Sequence, residues 1–125
     1  MLDKGRNVKQ ALIVDPLGKV EDFARSALGA YEQTLTGSLQ EATALASGAD
    51  FDLVLIAMPE ERCDGAMWTM VERIKGLATG AAVFMVHTEG GDAPFHARAA
   101  ALGVSVVTAP LDILSKTLID EVTAG

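Results

Sequence analysis

The tightest constraint on this chain is a regular alternation of short, unbroken apolar runs with segments whose apolar residues recur at helical spacing. Ala11-Leu12-Ile13-Val14, Leu53-Val54-Leu55-Ile56 and Ala82-Val83-Phe84-Met85-Val86 are continuous runs, the pattern of strands buried on both faces. Glu32 to Thr36 and Val104 to Thr108 complete a set of five. A helical pattern follows each. Asp15-Pro16 reads as a helix start, with the carboxylate as N-cap, proline in the first turn and a stripe through Val20, Phe23, Ala24, Ala27 and Leu28. Ser38-Leu39-Gln40-Glu41 reads as a capping box for a helix ending at Gly48. Met67, Met70, Val71 and Ile74 mark a third helix closing near Gly76, and Ala93 to Leu102 a fourth that stops at Gly103. Ile113, Leu114, Leu118 and Val122 read as the inward stripe of a fifth. Strict alternation predicts an α/β fold, a five-stranded parallel sheet with helices on both faces, because every parallel crossover needs a covering helix.

The 125 residues suit one domain, with its core from about residue 8 to residue 122. Half the residues are hydrophobic but only 5% are aromatic, so aliphatic side chains must build the core. The net charge of -7 argues against a nucleic-acid surface and against anionic membranes, since both need clustered Lys and Arg. Cys63 is the only cysteine, which leaves no internal disulfide. Met1 to Gln10 is polar and charged, unlike a secretory leader, and no apolar stretch is long enough to span a bilayer. The expectation is a cytoplasmic protein.

In an open parallel sheet, function sits beyond the carboxyl ends of the strands. Here those ends carry Asp15 and Pro16, Ala57 and Met58, His87 and Thr88, and Ala109 and Pro110. Leu12-Ile13-Val14-Asp15 resembles the opening strand of the receiver domains of bacterial response regulators, which ends in an acidic pair. Asp52-Leu53-Val54-Leu55-Ile56 resembles their strand leading to the phosphoacceptor aspartate, and Asp64-Gly65 resembles the Asp-Gly beyond it. The resemblance covers about Val8 to Val122 and implies a CheY-like, flavodoxin-like (βα)5 fold. By gapless alignment, the phosphoacceptor position holds Ala57, the switch Ser/Thr position His87, and the Lys-Pro position Ala109-Pro110. Pro16 takes the place of the second acid.

The resemblance therefore implies a pocket that has lost its chemistry. Alanine offers no nucleophile, one remaining carboxylate is a weak Mg²⁺ site, and no cofactor is expected. Glu60 or Glu61 on the following loop would place a carboxylate differently, and Thr88 would supply a hydroxyl only with the strand shifted by one residue. His87 reads as a strand-end histidine bonded to backbone or water. The chain shows no Gly-rich phosphate loop, nucleophile elbow or paired acid and base at strand ends, so catalysis is not expected. The resemblance implies a partner surface on the fourth helix, fifth strand and fifth helix, here Phe95, Arg98, Ala99, Val106, Ile113 and Lys116. Trp68, one position off the Met67/Met70 stripe, is the candidate for an adaptable contact. The expected function is signal transduction without phosphorylation, through another signalling protein, an effector domain of the same polypeptide or a second copy. The alternative is a module that binds a small anion or nucleotide in the altered pocket.

Overall fold

The computed structural model describes residues 9–16, 18, 20–58, 65–87, 93–108 and 113–124. Five strands and five helices alternate: β1 (Lys9–Val14), α1 (Glu21–Ala27), β2 (Tyr31–Thr36), α2 (Leu39–Gly48), β3 (Leu53–Met58), α3 (Gly65–Leu77), β4 (Ala82–His87), α4 (Ala93–Leu102), β5 (Ser105–Thr108) and α5 (Ile113–Ala124). All four strand pairings are parallel, in the order β2-β1-β3-β4-β5. The α/β class and the parallel sheet expected from the alternation are what the chain forms.

That order, with right-handed crossovers, fixes which helix covers which face. The step from β1 to β2 runs one way along the sheet, and the steps to β3, β4 and β5 run the other. Side chains of α1 and α5 accordingly join one core, with Ala11, Ile13, Leu53, Leu55, Ala57, Phe84 and Val86 beneath Val20, Ala24, Leu28 and Ile119. On the other face, α2, α3 and α4 pack over Leu12, Val14, Val54, Ile56, Val83 and Met85. The alternation of β3 residues between the two cores is the two-residue period of a strand. Leu53, Val54, Leu55 and Ile56 are each at most 1% exposed, which explains why this run reads as unbroken apolar sequence.

Local details depart from the sequence reading in instructive ways. Asp15 and Pro16 do not open α1. They form a turn in which the Gly18 amide donates to the Asp15 carbonyl, and Gly18 adopts a φ of +69°, which glycine tolerates without steric cost. The helix starts at Glu21, although Val20, Ala24 and Leu28 are buried as the stripe requires. At α2, the Ser38 hydroxyl accepts from the Glu41 amide at 2.9 Å, one half of the capping box. The other half is replaced: the Glu41 carboxylate accepts from the Thr36 hydroxyl, and the Ser38 amide donates to the same Thr36 oxygen at 3.3 Å. This links the end of β2 to the start of α2. Gln33 ties α1 to β2 similarly, its Nε2 donating to the carbonyls of Ala24 and Leu28 at 2.7 and 2.8 Å.

The largest departure is the rotation of α5. Leu114, Leu118 and Val122, expected to face inward, are 74%, 39% and 45% exposed, and Ile119 makes the core contact at 0%. On α3, Trp68 is buried together with Val71 and Ile74, while Met67 and Met70 are half-buried.

Two outcomes follow from this packing. Leu55→Ala removes a fully buried side chain from the central strand and lowers unfolding free energy by about 2–5 kcal/mol in urea titration. Ser38→Ala loses only the cap and costs about 1 kcal/mol in the same measurement.

Candidate functional site

Strand order reverses between β1 and β3, so the crevice beyond their carboxyl ends is where such a sheet presents a site. The β1–β3 ladder ends with Val14 opposite Ile56, which sets Asp15 and Ala57 at the next level. Ala57 lies opposite Val86 of β4, and its side chain is 6% exposed within the core that α1 and α5 cover. Met58 lies opposite His87, and His87 opposite Thr108, which completes the row of strand ends. The side chains of Met58, His87 and Thr108 lie outside the described residues, as do Glu60, Glu61, Cys63, Thr88, Ala109 and Pro110.

Asp15 brings the one described carboxylate at the reversal point. Its Oδ2 accepts from the Val20 amide at 3.0 Å, and its own amide donates to the Thr36 carbonyl at 2.9 Å. The residue spans the β1–α1 loop and pins it to β2, a role that follows from where the helix really starts. Pro16 is exposed and supplies neither charge nor an amide donor. The Mg²⁺ site of a receiver needs several carboxylate oxygens converging. Of Asp15, Pro16 and Ala57 only Asp15 carries a carboxylate, and among the described residues no group of three or more His, Cys, Asp or Glu side chains could hold a metal ion.

A depression of about 220 Å³ opens at the end of β1 toward β2, lined by Asp15, Glu21, Leu35, Thr36 and Gly37. Two of its five lining residues are acidic, so an anion meets repulsion there. Neither Glu21 nor Leu35 stood out in the sequence, because their place beside Asp15 depends on the β1–β2 register and on the late start of α1.

The surface expected to meet a partner is only partly at the surface. Phe95 and Ala99 are buried at 6% and 0%, and Val106 is half-buried against the same core. The Phe95 ring sits 5.4 Å from that of Trp68, centroid to centroid, so these two aromatic residues join α4 to α3. Trp68 is 5% exposed, a core residue and not the adaptable contact expected of it. The Arg98 guanidinium lies 5.5 Å from the Trp68 ring centroid and closes over it as a cation–π contact. Lys116 donates to Asp120 at 2.6 Å along α5. The Ile113 side chain lies outside the described residues.

No protein-family model and no curated protein matches the chain. Solved structures do. A response regulator from Thermotoga maritima superposes with a TM-score of 0.77 at 15% identity, over 94% of this chain and 99% of that one. A CheY-like response regulator receiver domain protein from Methanospirillum hungatei gives 0.73 at 19% identity, over 94% and 92%. A pilus assembly-related protein from Burkholderia pseudomallei gives 0.76 at 23% identity, over 94% and 90%. With strand order, helix placement and these likenesses in agreement, the fold of this chain is the CheY-like receiver fold.

Proposed function

We propose that this chain is a receiver-fold signalling module that takes no phosphoryl group and acts by contact with another protein. The observation that carries the reading is Ala57, a methyl side chain at the end of the central strand, level with Asp15. Phosphoryl transfer onto a receiver requires a carboxylate oxygen there as nucleophile. The supporting observations are electrostatic. The carboxylate of Asp15 already serves the β1–α1 loop, Pro16 has no charge to offer, and Ala109 stands in the sequence where a lysine would neutralise the phosphoryl oxygens. Each such missing contact is worth about 10²–10³ in rate. The acidic depression beside Asp15 gives no support to the alternative of an anion-binding pocket.

Contact is the remaining way for such a fold to transmit a signal, and the acidic chain suits partners with apolar or basic surfaces. The fold also serves in a pilus assembly-related protein. Partners within a protein assembly therefore fit the reading as well as an effector domain or another signalling protein.

Incubation with acetyl phosphate and Mg²⁺, followed by intact-mass measurement, is expected to leave the chain at its unmodified mass. A stoichiometric, hydroxylamine-labile phosphoryl adduct would refute the proposal. Ala57→Asp restores a nucleophile without its supporting charges, so its labelling rate is expected to fall at least about 10²-fold below that of an intact receiver. Asp15→Ala is expected to cost about 1–2 kcal/mol through the lost bond to Val20. Wild-type stability should be indifferent to Mg²⁺; a rise with Mg²⁺ that Asp15→Ala abolishes would make Asp15 a metal ligand instead.

A further inference from the structure

We propose that the outer edge of β2 is a docking strand for an extended, basic segment of another protein, which pairs with Gln33 and Leu35 and sets a lysine or arginine side chain in the depression beside Asp15. The proposal rests on the reading that the chain works by protein contact, and it names the surface and the chemistry of the partner. β2 is an outer strand of the sheet. The Thr36 carbonyl accepts from the Asp15 amide, so it points toward β1. The amide and carbonyl of one strand residue share a side, and successive residues alternate. Glu32, Thr34 and Thr36 therefore pair with β1, while Gln33 and Leu35 turn theirs outward. Among the described residues nothing bonds those four groups, whereas Tyr31, the next residue on that side, gives its amide to the Leu28 carbonyl. Outer strands are commonly blunted by lysine, proline or brevity. β5, at the other edge, is 4 residues long; β2 runs for 6 and holds neither Lys nor Pro.

The charges identify the occupant. The register puts Gln33 and Leu35 level with Ala11 and Ile13, on the face that α1 covers, and Thr34 and Thr36 level with Leu12 and Val14, on the face of α2. Carboxylates flank the strand on both faces. On the first, Asp15 and Glu21 line the depression together with Leu35, which is 46% exposed. On the second stand Glu32, which accepts from the Gln10 side-chain amide, and Glu41, which accepts from the Thr36 hydroxyl. Neutral donors such as these, and the Val20 amide at Asp15, leave the negative charges in place. The bases nearby are Arg25, paired with Glu21 at an exposed position, and Lys9, opposite Tyr31 at the far end of the strand. An added strand presents side chains to both faces, so lysine or arginine on it meets carboxylates on either. Beside Leu35 its apolar stem lies on the leucine and its cationic head reaches Asp15 and Glu21. A second copy fits less well. An antiparallel pair of β2 strands uses all four outward groups when Gln33 lies opposite Leu35. That register sets Glu32 against the second copy's Thr36 and Glu41, like charge beside like charge, on both sides of the axis.

A short ladder with its flanking ion pairs is much smaller than the roughly 1,600 Å² of a standard interface, so binding is in the micromolar range or weaker.

A short synthetic peptide that alternates lysine with threonine, titrated into the whole chain and followed by amide NMR, tests this. It should shift the Gln33 and Leu35 amides saturably and slow their hydrogen exchange, and its binding should weaken as salt rises. The same peptide with glutamate in place of lysine should not bind. A version N-methylated at alternate amides cannot complete the ladder and should bind roughly tenfold more weakly or worse. Leu35→Pro removes an outward amide at a position where an outer strand tolerates proline, and should cost a similar factor with unchanged circular dichroism. Glu32→Lys, which leaves the backbone intact, should weaken binding about threefold. Should Leu35→Pro unfold, Glu32→Lys and the N-methylated peptide still decide. Absence of saturable change at Gln33 and Leu35 up to millimolar peptide, or equal binding by the N-methylated peptide, would overturn the proposal. Slowed exchange at those two amides that grows with chain concentration alone would put a second copy on the edge and overturn the basic partner. None of these results depends on phosphodonor labelling, which alone decides whether the pocket is silent.

Discussion

Burial of both faces of β1, β3 and β4 is the interaction on which the rest of the structure depends. A central parallel strand has no solvent side, so every residue of β3 must be apolar and every connection must return over a face as a helix. Right-handedness of the crossovers then divides the helices, α1 and α5 on one face and α2, α3 and α4 on the other, without further instruction from the sequence. The strand order itself, β2-β1-β3-β4-β5, places the reversal between β1 and β3. Core and crevice therefore have one cause: residues two apart on β3 build the two cores, and the next residue along, Ala57, arrives at the crevice.

The described residues at that crevice have structural partners. Asp15 holds the α1 entry by accepting from Val20, and its neighbours Gly18 and Pro16 shape a turn instead of extending a charge cluster. On the opposite side of the sheet the contact of α4 with α3 is closed by Trp68, Phe95 and Arg98. An aromatic pair with a cation above it, worth about 1–2 kcal/mol beyond area burial, resists sliding of α4. Phe95 and Ala99 of α4 are thus spent on packing, while Leu114, Leu118 and Val122 of α5 are exposed.

The fold was almost wholly legible in the sequence because its determinants are local and periodic. Short continuous runs such as Leu53 to Ile56, half β-branched, read as doubly buried strands, and Gly103, with a φ of +76°, ends α4 where the chain said it would. Ala57 was legible for a different reason: its position in a short run fixes its place at the strand end. The misreadings share one cause, the absence of tertiary partners from a sequence pattern. On α5 the apolar residues Leu114, Leu118 and Val122 outnumber Ile119, and periodicity alone assigns the larger set inward; in the fold Ile119 is the one turned into the core among these four. Trp68 lies off the methionine stripe, yet Phe95 arriving from α4 draws it inside. Asp15-Pro16 has the composition of a helix start, and only the register of β1 with β2 shows that the carboxylate instead spans a turn.

Beryllofluoride binds a receiver's carboxylate as a phosphoryl group does and draws Mg²⁺ into the same site. Two-dimensional amide NMR of this chain with beryllofluoride and Mg²⁺ therefore reads the central claim directly. With a methyl group at position 57 and the Asp15 carboxylate engaged, the spectrum should be unchanged at the ends of β1 and β3 and across α4 and β5. Saturable shifts starting at Asp15 and Ala57 and spreading to those elements would show a working acceptor in the crevice and contradict a phosphate-independent receiver.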